Sequence, residues 1–267
     1  LFMYGHFTLA LKYFRYLCTA ANGKGHGVHS PFVFEFITRV LNDRRNFYAF
    51  DAIEKIRLDL LSNHNTIEIE DFGAGSRVAK TNTRKISAVA KGSLKPAKYS
   101  QLLFRMIDFY APTQIIELGT SLGITTAYLA SANSAARVTT FEGSTAVAQI
   151  AGQNHQLLGL TNIDLIEGNF DTQLPKWLEQ HKSIDFAFID GNHAFKPTVA
   201  YFEALLEVVH ENSILVFDDI HWSTEMEQAW AHISAHPRVT LSIDLFFIGV
   251  VFFRKEFAQK QQVSIRF

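Results

Sequence analysis

Acidic side chains follow two short apolar runs in the second half of the chain and could hold a divalent cation. Asp190 follows Phe188-Ile189, and the pair Asp218 and Asp219 follows Val216-Phe217. Carboxylates that converge repel one another unless a cation or a proton compensates, and oxygen ligands suit Mg²⁺. The alternative is that one carboxylate caps the next helix while another only hydrogen-bonds a cofactor.

A glycine-containing loop precedes this region and could bind a nucleotide-like cofactor. The run Glu117–Gly123 (ELGTSLG) follows the apolar pair Ile115-Ile116 and precedes a helical pattern that begins at Ile124. Glycine lets the backbone approach a ligand, and free N–H groups at a helix start attract a carboxylate or phosphate. Glu142 closes the next predicted strand, and an acid about 20 residues after the first glycine is placed to bind a ribose diol.

The spacing of the glycines disfavours NAD as the ligand of this loop. The dinucleotide fingerprint requires three glycines, whereas here the pattern is Gly119, Ser121 and Gly123, with Thr126 in place of the third glycine. A turn that binds no ligand is the alternative.

A second glycine-containing segment, 70–76 (EDFGAGS), is followed by a basic stretch without an apolar helical face. We expect this second segment to form a turn in the N-terminal region.

The elements that must position these residues alternate between strand and helix, which predicts an α/β fold. Two late runs, 239–243 and 245–253, follow each other almost without a break and predict an antiparallel hairpin. The glycine loop and the acids fall at carboxyl ends of predicted strands, where ligands bind in doubly wound sheets. The other strand candidates are 114–118, 137–142, 163–167, 184–190 and 213–218.

The first 95 residues lack this alternation and are predicted to form a helical cap. Apolar residues at a spacing of three to four predict helices over 9–17, 32–41 and 52–61. We therefore divide the chain into an N-terminal cap, 1–95, which could cover the substrate, and a cofactor-binding core, 96–267.

Composition and charge restrict the partners. Apolar residues make up 48% and charged residues 19%, which is typical of a globular protein. The 25 basic and 26 acidic residues give a net charge of -1, so no global field recruits nucleic acid or an anionic membrane. The most apolar N-terminal stretch contains Lys12 and Arg15, which argues against stable membrane insertion. The single cysteine, Cys18, fits a reducing compartment, so we expect a cytoplasmic location.

The core, over about residues 98–253, resembles the catechol and caffeoyl-CoA O-methyltransferases and the related sugar and antibiotic O-methyltransferases. The resemblance rests on the order and spacing of three motifs: IELGTSLG at 116–123, FIDGNH at 188–193 and VFDDIHW at 216–222. It implies a doubly wound, seven-stranded Rossmann-like methyltransferase sheet with an antiparallel C-terminal hairpin. It also implies methyl transfer from S-adenosylmethionine to a hydroxyl of a small molecule, with divalent-metal assistance.

The resemblance further implies roles for individual residues. Asp190, Asp218 and Asp219 would hold the metal. The family's general base is commonly a lysine three residues after the first metal aspartate, and His193 stands at that position. A neutral imidazole can accept a hydroxyl proton, so His193 is the predicted base and His221 its rival. The cofactor-binding residues implied are Glu117, Gly119, Ser121, Gly123, Thr125, Glu142, Gly168, Asn169 and Asp190.

Three other functions are compatible with the sequence, because a fold does not fix a function. One is a metal-independent methyltransferase acting on nitrogen or on a protein, since a neutral amine needs less help from a base. The second is a nicotinamide-dependent oxidoreductase, and the third is a non-catalytic nucleotide-binding module. Gly119, Glu142 and the aspartates argue against the third. We expect a small-molecule acceptor, no nucleic acid, and a chain that acts alone or as a homodimer.

Overall fold

The computed structural model describes residues 3–71 and 80–267 and divides the chain into two compact units. The central unit is Asp43–Glu179, and the terminal unit combines Leu1–Asn42 with Gln180–Phe267. Residues 72–76 of the second glycine-containing segment lie outside the described residues. The predicted role of that segment as a turn therefore stays a prediction.

Helices and strands alternate along most of the described chain. The helices are α1 (His6–Thr19), α2 (Pro31–Phe36), a π-helical turn (Ile37–Leu41), α3 (Tyr48–Ser62), α4 (Ile86–Ser93), α5 (Ala97–Tyr110), α6 (Ile124–Ala132), α7 (Thr145–Leu157), α8 (Phe170–Gln180), α9 (Phe195–Leu206) and α10 (Thr224–Ala235). The strands are β1 (Thr66–Asp71), β2 (Lys80–Lys85), β3 (Gln114–Leu118), β4 (Arg137–Glu142), β5 (Ile163–Glu167), β6 (Ile184–Ile189), β7 (Val209–Asp218), β8 (Leu241–Asp244), β9 (Ile248–Phe252) and β10 (Gln261–Ser264).

The central unit contains three parallel strands in the order β3-β4-β5. Their bounds are those predicted from the sequence, because each is a short β-rich run bounded by turn residues. β3 is almost entirely buried, as is expected of a parallel strand covered on both faces. The register pairs Leu118 with Phe141 and Glu142 with Glu167, so the carboxyl ends of the three strands lie at one edge.

A short antiparallel pair in the central unit departs from the predicted all-helical cap. β1 pairs with β2, and α4 follows directly. In β1, Ile67 and Ile69 are half-buried and pack on the core that contains Phe50 and Tyr128, whereas Glu68 between them is exposed. This alternation has the period of two that is typical of a strand with one buried face. Residues 1–95 are therefore not wholly helical.

The terminal unit contains five strands in the order β10-β8-β9-β7-β6. β6 and β7 are parallel, and β9 runs antiparallel to both β7 and β8, which confirms the predicted hairpin. β10 adds a strand parallel to β8, so the three strands β3 to β5 of the central unit and the five of the terminal unit together number one more than the seven predicted. β10 was not predicted because its sequence, Gln-Gln-Val-Ser, offers no apolar run and pairs through its backbone.

Helix α1 packs within the terminal unit on α10 and on the turn between β8 and β9. Tyr13 and Tyr16 contact the ring of Phe246, and Lys12 binds the carboxylate of Glu227 at 2.9 Å. This grouping differs from a single cap that ends at residue 95, and a substrate-covering role for 1–95 stays a prediction. No helix in the described parts of the chain is long and apolar enough to cross a membrane.

Candidate functional site

The glycine loop lies between β3 and α6 in the central unit and has an unusual backbone. Gly119, Ser121 and Gly123 have φ values of 108°, 48° and 81°, in the region that favours glycine. Gly123 also has no room for a side chain, because an added Cβ would lie 2.5 Å from Nε2 of His155. The positive φ values of the loop therefore agree with the expectation that its glycines let the backbone approach a ligand closely.

Glu142 ends β4, and its carboxylate faces this loop. Oε2 accepts a hydrogen bond from the backbone N–H of Ser121 at 2.8 Å, and Oε1 accepts one from the N–H of Ser144 at 3.0 Å. Burial raises the pKa of Glu142, although the N–H groups of Ser144, Ser121 and Gly143 oppose this shift. A carboxylate can accept about four hydrogen bonds, so this side chain retains capacity for ligand hydroxyls.

Glu117 and Thr125 differ in how they are placed around the loop. Glu117 is fully buried, and its carboxylate accepts hydrogen bonds from the hydroxyls of Thr126 and Thr140. This network links β3, β4 and the start of α6 behind the loop. Thr125 lies in the first turn of α6 and is also buried. Contact of either residue with a cofactor stays a prediction.

Gly168 and Asn169 follow β5 at the same edge of the sheet as the glycine loop. Gly168 has a φ of 124°, and its N–H donates to the carbonyl of Glu142 at 2.8 Å. Asn169 Oδ1 accepts the N–H of Asp171 at 2.8 Å, which is a helix-capping contact at the start of α8. The structure thus brings the predicted cofactor residues of the central unit to one edge.

Sequence reasoning missed three side chains that hold the loop. Asn154 and His155 in α7 contact the backbone carbonyls of Leu122 and Gly123, at 2.9 and 3.1 Å. Ser93, at the end of α4, has its Oγ 2.7 Å from the Oγ of Ser121. No spacing rule connects these residues to the loop, because they reach it only through the tertiary fold.

The terminal unit brings two of the predicted acids together with a histidine. Asp190 follows β6 and Asp218 ends β7, and the register pairs Ile189 with Phe217, so the two aspartates are neighbours. Ligand atoms of Asp190, His193 and Asp218 all lie within 4.8 Å of one another, and Nε2 of His193 is 3.4 Å from Oδ1 of Asp190. Two carboxylates and an imidazole form a donor set that can hold a divalent cation.

Asp219, the third predicted metal ligand, does not belong to this group. It follows the last residue of β7 and has a φ of 53°. Among the described residues, His193 instead occupies the third place beside Asp190 and Asp218. A role for Asp219 as a ligand stays a prediction.

His221, the rival base, is held by two carboxylates. Nδ1 lies 3.0 Å from Oε1 of Glu227 and Nε2 lies 2.9 Å from Oδ2 of Asp244. Burial lowers the pKa of His221, but the hydrogen bonds and charges of Asp244 and Glu227 outweigh it and raise the pKa above its ordinary value. Because a protonated ring donates through both nitrogens to these carboxylates, His221 is poorly placed to accept a substrate proton.

Comparisons with known proteins agree with this arrangement. Residues 116–220 match the family model described as a methyltransferase domain. The match begins in β3 and ends just after Asp219, so it encloses every predicted site residue except His221.

Solved structures show the same fold over most of this chain. The O-methyltransferase of Bacillus cereus in complex with S-adenosylhomocysteine (SAH) is 20% identical, covers 83% of this chain and 97% of its own, and has a TM-score of 0.52. The SAH-bound methyltransferase PaMTH1 of Podospora anserina is 13% identical over 85% and 97%, with a TM-score of 0.59.

A third solved structure contains bound S-adenosylmethionine (SAM). The O-methyltransferase TomG of Streptomyces achromogenes, involved in tomaymycin synthesis and solved in complex with SAM, is 15% identical over 79% of this chain and 91% of its own, with a TM-score of 0.55. No curated protein matches the sequence. The predicted Rossmann-like methyltransferase fold is confirmed.

Proposed function

We propose that the protein transfers the methyl group of S-adenosylmethionine to a hydroxyl of a small molecule. The observation that carries this proposal is the hydrogen bond between Glu142, at the end of β4, and the N–H of Ser121 in the glycine loop. This hydrogen bond places the carboxylate that we expect to bind the ribose hydroxyls next to the loop backbone that we expect to bind the methionine part of the cofactor. S-adenosylmethionine or SAH bound in solved O-methyltransferases of this fold supports the same choice of donor.

The predicted cofactor residues divide the work of binding the donor. Backbone groups from Gly119 to Gly123 would approach the methionine part, with Thr125 at its carboxylate. Glu142 would accept hydrogen bonds from the ribose hydroxyls. Such hydrogen bonds are stronger when the acceptor is a charged carboxylate. Gly168 and Asn169 would lie beside the adenine, while Glu117 supports the loop through Thr126 and Thr140. The roles of Glu117 and Asp190 at the cofactor remain proposals from the resemblance.

We also propose that Asp190 and Asp218, with Asp219 as a further candidate, hold a divalent cation such as Mg²⁺. A bound cation would act as a Lewis acid that makes a nearby hydroxyl more acidic. The carboxylates of Asp190 and Asp218 fit such an ion, and the imidazole of His193 lies beside them, with ligand atoms of all three residues within 4.8 Å of one another. His193 would accept the hydroxyl proton on its imidazole, which is the role that the resemblance predicts for this position.

Atoms and charge balance in the proposed step. The acceptor oxygen forms a bond to the methyl carbon, the carbon–sulfur bond breaks, and its electron pair stays on sulfur. The products are a methyl ether and SAH, and the proton passes to His193. The sulfonium supplies the intrinsic reactivity, so the protein has to orient the acceptor, exclude water and remove this proton.

Calorimetry tests the donor, and turnover tests the metal. The folded protein should bind SAH, and failure to bind it would refute the proposed function. With methyl-labelled S-adenosylmethionine and a panel of catechols and phenols, chelation should abolish labelling and Mg²⁺ should restore it. Full turnover after exhaustive chelation would instead favour a metal-independent methyltransferase acting on nitrogen or on a protein.

The choice of base is tested by matched histidine variants. A general base contributes about a hundred- to ten-thousand-fold, so His193→Ala should lower kcat at least about a hundred-fold while SAH affinity stays nearly unchanged. His221→Ala should not lower kcat to this extent, because both ring nitrogens of His221 already contact carboxylates. The reverse pattern would assign the base to His221.

Location and partners follow from weaker signals and are proposals as well. The only cysteine of the sequence, Cys18, is free and exposed, which supports a reducing compartment such as the cytoplasm. A nearly neutral net charge supports a small-molecule acceptor.

A further inference from the structure

Two buried side chains of α7 contact backbone carbonyls of the glycine loop. Asn154 Nδ2 donates to the carbonyl of Leu122 at 2.9 Å, and Nε2 of His155 lies 3.1 Å from the carbonyl of Gly123. Both side chains are almost fully removed from solvent, with exposed fractions of 7% and 5%. Two consecutive carbonyls of the loop are therefore held by two consecutive residues of one helix.

The partner of His155 determines the state of its ring. A carbonyl oxygen can only accept, so Nε2 must carry the hydrogen and the ring donates to Gly123. Burial lowers the pKa of His155 to about 4, so the ring stays neutral at physiological pH. A neutral ring in this buried place is suited to holding the backbone and not to exchanging protons with a substrate.

The loop needs such support because of its backbone conformation. Ser121 and Gly123 both have positive φ values, of 48° and 81°, and a non-glycine residue in this region is strained. The carbonyl of Gly123 accepts the N–H of Ala127 at 3.0 Å as well as the contact from His155. The imidazole therefore secures the residue at which the loop becomes helix α6.

Gly123 and His155 are also matched in shape. An added Cβ at Gly123 would lie 2.5 Å from Nε2 of His155 and 3.0 Å from Cβ of Ala151. The imidazole can approach the carbonyl only because position 123 has no side chain. This fit gives the second glycine of the loop a role beyond its conformation.

We propose that Asn154 and His155 are positioning residues for the cofactor, holding the carbonyls of Leu122 and Gly123 toward α7. The N–H groups of Gly119, Ser121 and Gly123 already donate within the protein. We infer that the two side chains fix the start of α6, so that the N–H groups of its first turn, which have no partner within the helix, are available to the donor. The inference rests on the proposed function, since it assumes that S-adenosylmethionine binds at this loop.

Calorimetry with SAH on the full chain tests the inference. His155→Leu keeps a similar volume without a donor and should weaken SAH binding at least about tenfold, the scale expected for one lost buried hydrogen bond. His155→Gln restores an N–H donor at a similar distance and should bind SAH within about threefold of the wild type. Asn154→Leu should weaken binding like His155→Leu, and it replaces that variant if His155→Leu does not fold.

Asn162→Leu is the matched control. Asn162 Nδ2 donates to the carbonyls of Ala130 and Ala136, at 3.1 and 2.9 Å, and so holds the opposite end of α6. Its loss should lower the melting temperature but leave SAH affinity within about threefold of the wild type, since an amide lost far from the loop affects stability alone.

The outcomes separate the inference from the proposed function. If the wild type binds SAH and His155→Leu binds equally tightly, the inference is wrong. It is also wrong if Asn162→Leu weakens SAH binding as much as His155→Leu, or if His155→Gln fails to restore it. If the wild type itself does not bind SAH, the proposed function fails, and the cofactor role of the two residues fails with it.

Discussion

Replacement of Glu142 by glutamine tests the cofactor site most directly, because it keeps the shape but removes the charge and one of the two acceptor oxygens. The carboxylate contacts the N–H groups of Ser121 and Ser144 at 2.8 and 3.0 Å. Ribose hydroxyls would donate to its remaining lone pairs. A hydrogen bond to a charged acceptor contributes about 1.5–3 kcal/mol and a neutral one about 0.5–1.5 kcal/mol, so the variant should lose about 1–2 kcal/mol of SAH binding. This loss corresponds to about a 5- to 30-fold rise in Kd.

The same variant should change how stability depends on pH. Burial raises the pKa of Glu142 above its ordinary value of 4.5. The contribution of Glu142 to the free energy of unfolding is therefore fully present below that value and is lost as the pH rises through the raised pKa. Glu142→Gln has no such loss, so the stability of the variant relative to the wild type should rise as the pH increases from below 4.5 through the raised pKa of Glu142.

Two measurements check these expectations. Calorimetry gives the Kd for SAH, and urea unfolding of the cofactor-free proteins at acid and neutral pH gives the difference in stability. An unchanged Kd would refute the assignment of Glu142 to the cofactor. An identical pH dependence for the two proteins would refute the argument from burial.

Three further changes test the loop, the terminal unit and the metal site. Gly123→Ala places a Cβ 2.5 Å from Nε2 of His155 at a φ of 81°, so thermal denaturation should show a loss above about 1 kcal/mol, together with weaker SAH binding. His221→Gln should lower the melting temperature more at acid than at alkaline pH. The pKa of His221 is raised above its ordinary value of 6.5. The contribution of His221 to the free energy of unfolding is therefore fully present below pH 6.5 and is lost as the pH rises through the raised pKa. Asp218→Asn should weaken Mn²⁺ binding in calorimetry at least about tenfold, and more than Asp219→Asn does, since only Asp218 lies in the cluster. Equal losses in the two aspartate variants would contradict this order.

Much of the fold could be predicted because its strands carry a local signal. β3, β4 and β5 are short β-rich runs bounded by turn residues, and their bounds match the prediction. β1 was missed although Ile67 and Ile69 alternate with Glu68, because such a short alternation is weak beside the helices around it. β10 was missed because its polar residues give no apolar pattern. Strands that pair through backbone hydrogen bonds do not require a particular pattern of side chains.

The candidate site could be predicted only in part, for a similar reason. The edge of the sheet follows from strand ends, which is why Gly119 and Glu142 come together as expected. Asp218 and Asp219 are adjacent in sequence, and successive residues at a strand end point to opposite sides, so the sequence could not say which one joins Asp190. The contact of His155 with Gly123 depends on how α7 packs, and no local pattern encodes it.

The docking of α1 has a consequence for how the chain folds during synthesis. The hydroxyl of Tyr16 donates to the carbonyl of Ile265, and the N–H of Ala21 donates to the carbonyl of Ser264 at 2.8 Å. Tyr16 therefore finds this partner only after the residues between them have been translated, because Ile265 lies 249 positions further along the chain. Contacts between residues so far apart in sequence form late, because the loop between them must close first. Until then the rings of Tyr13 and Tyr16 cannot pack on Phe246, and the nascent chain presents them to chaperones.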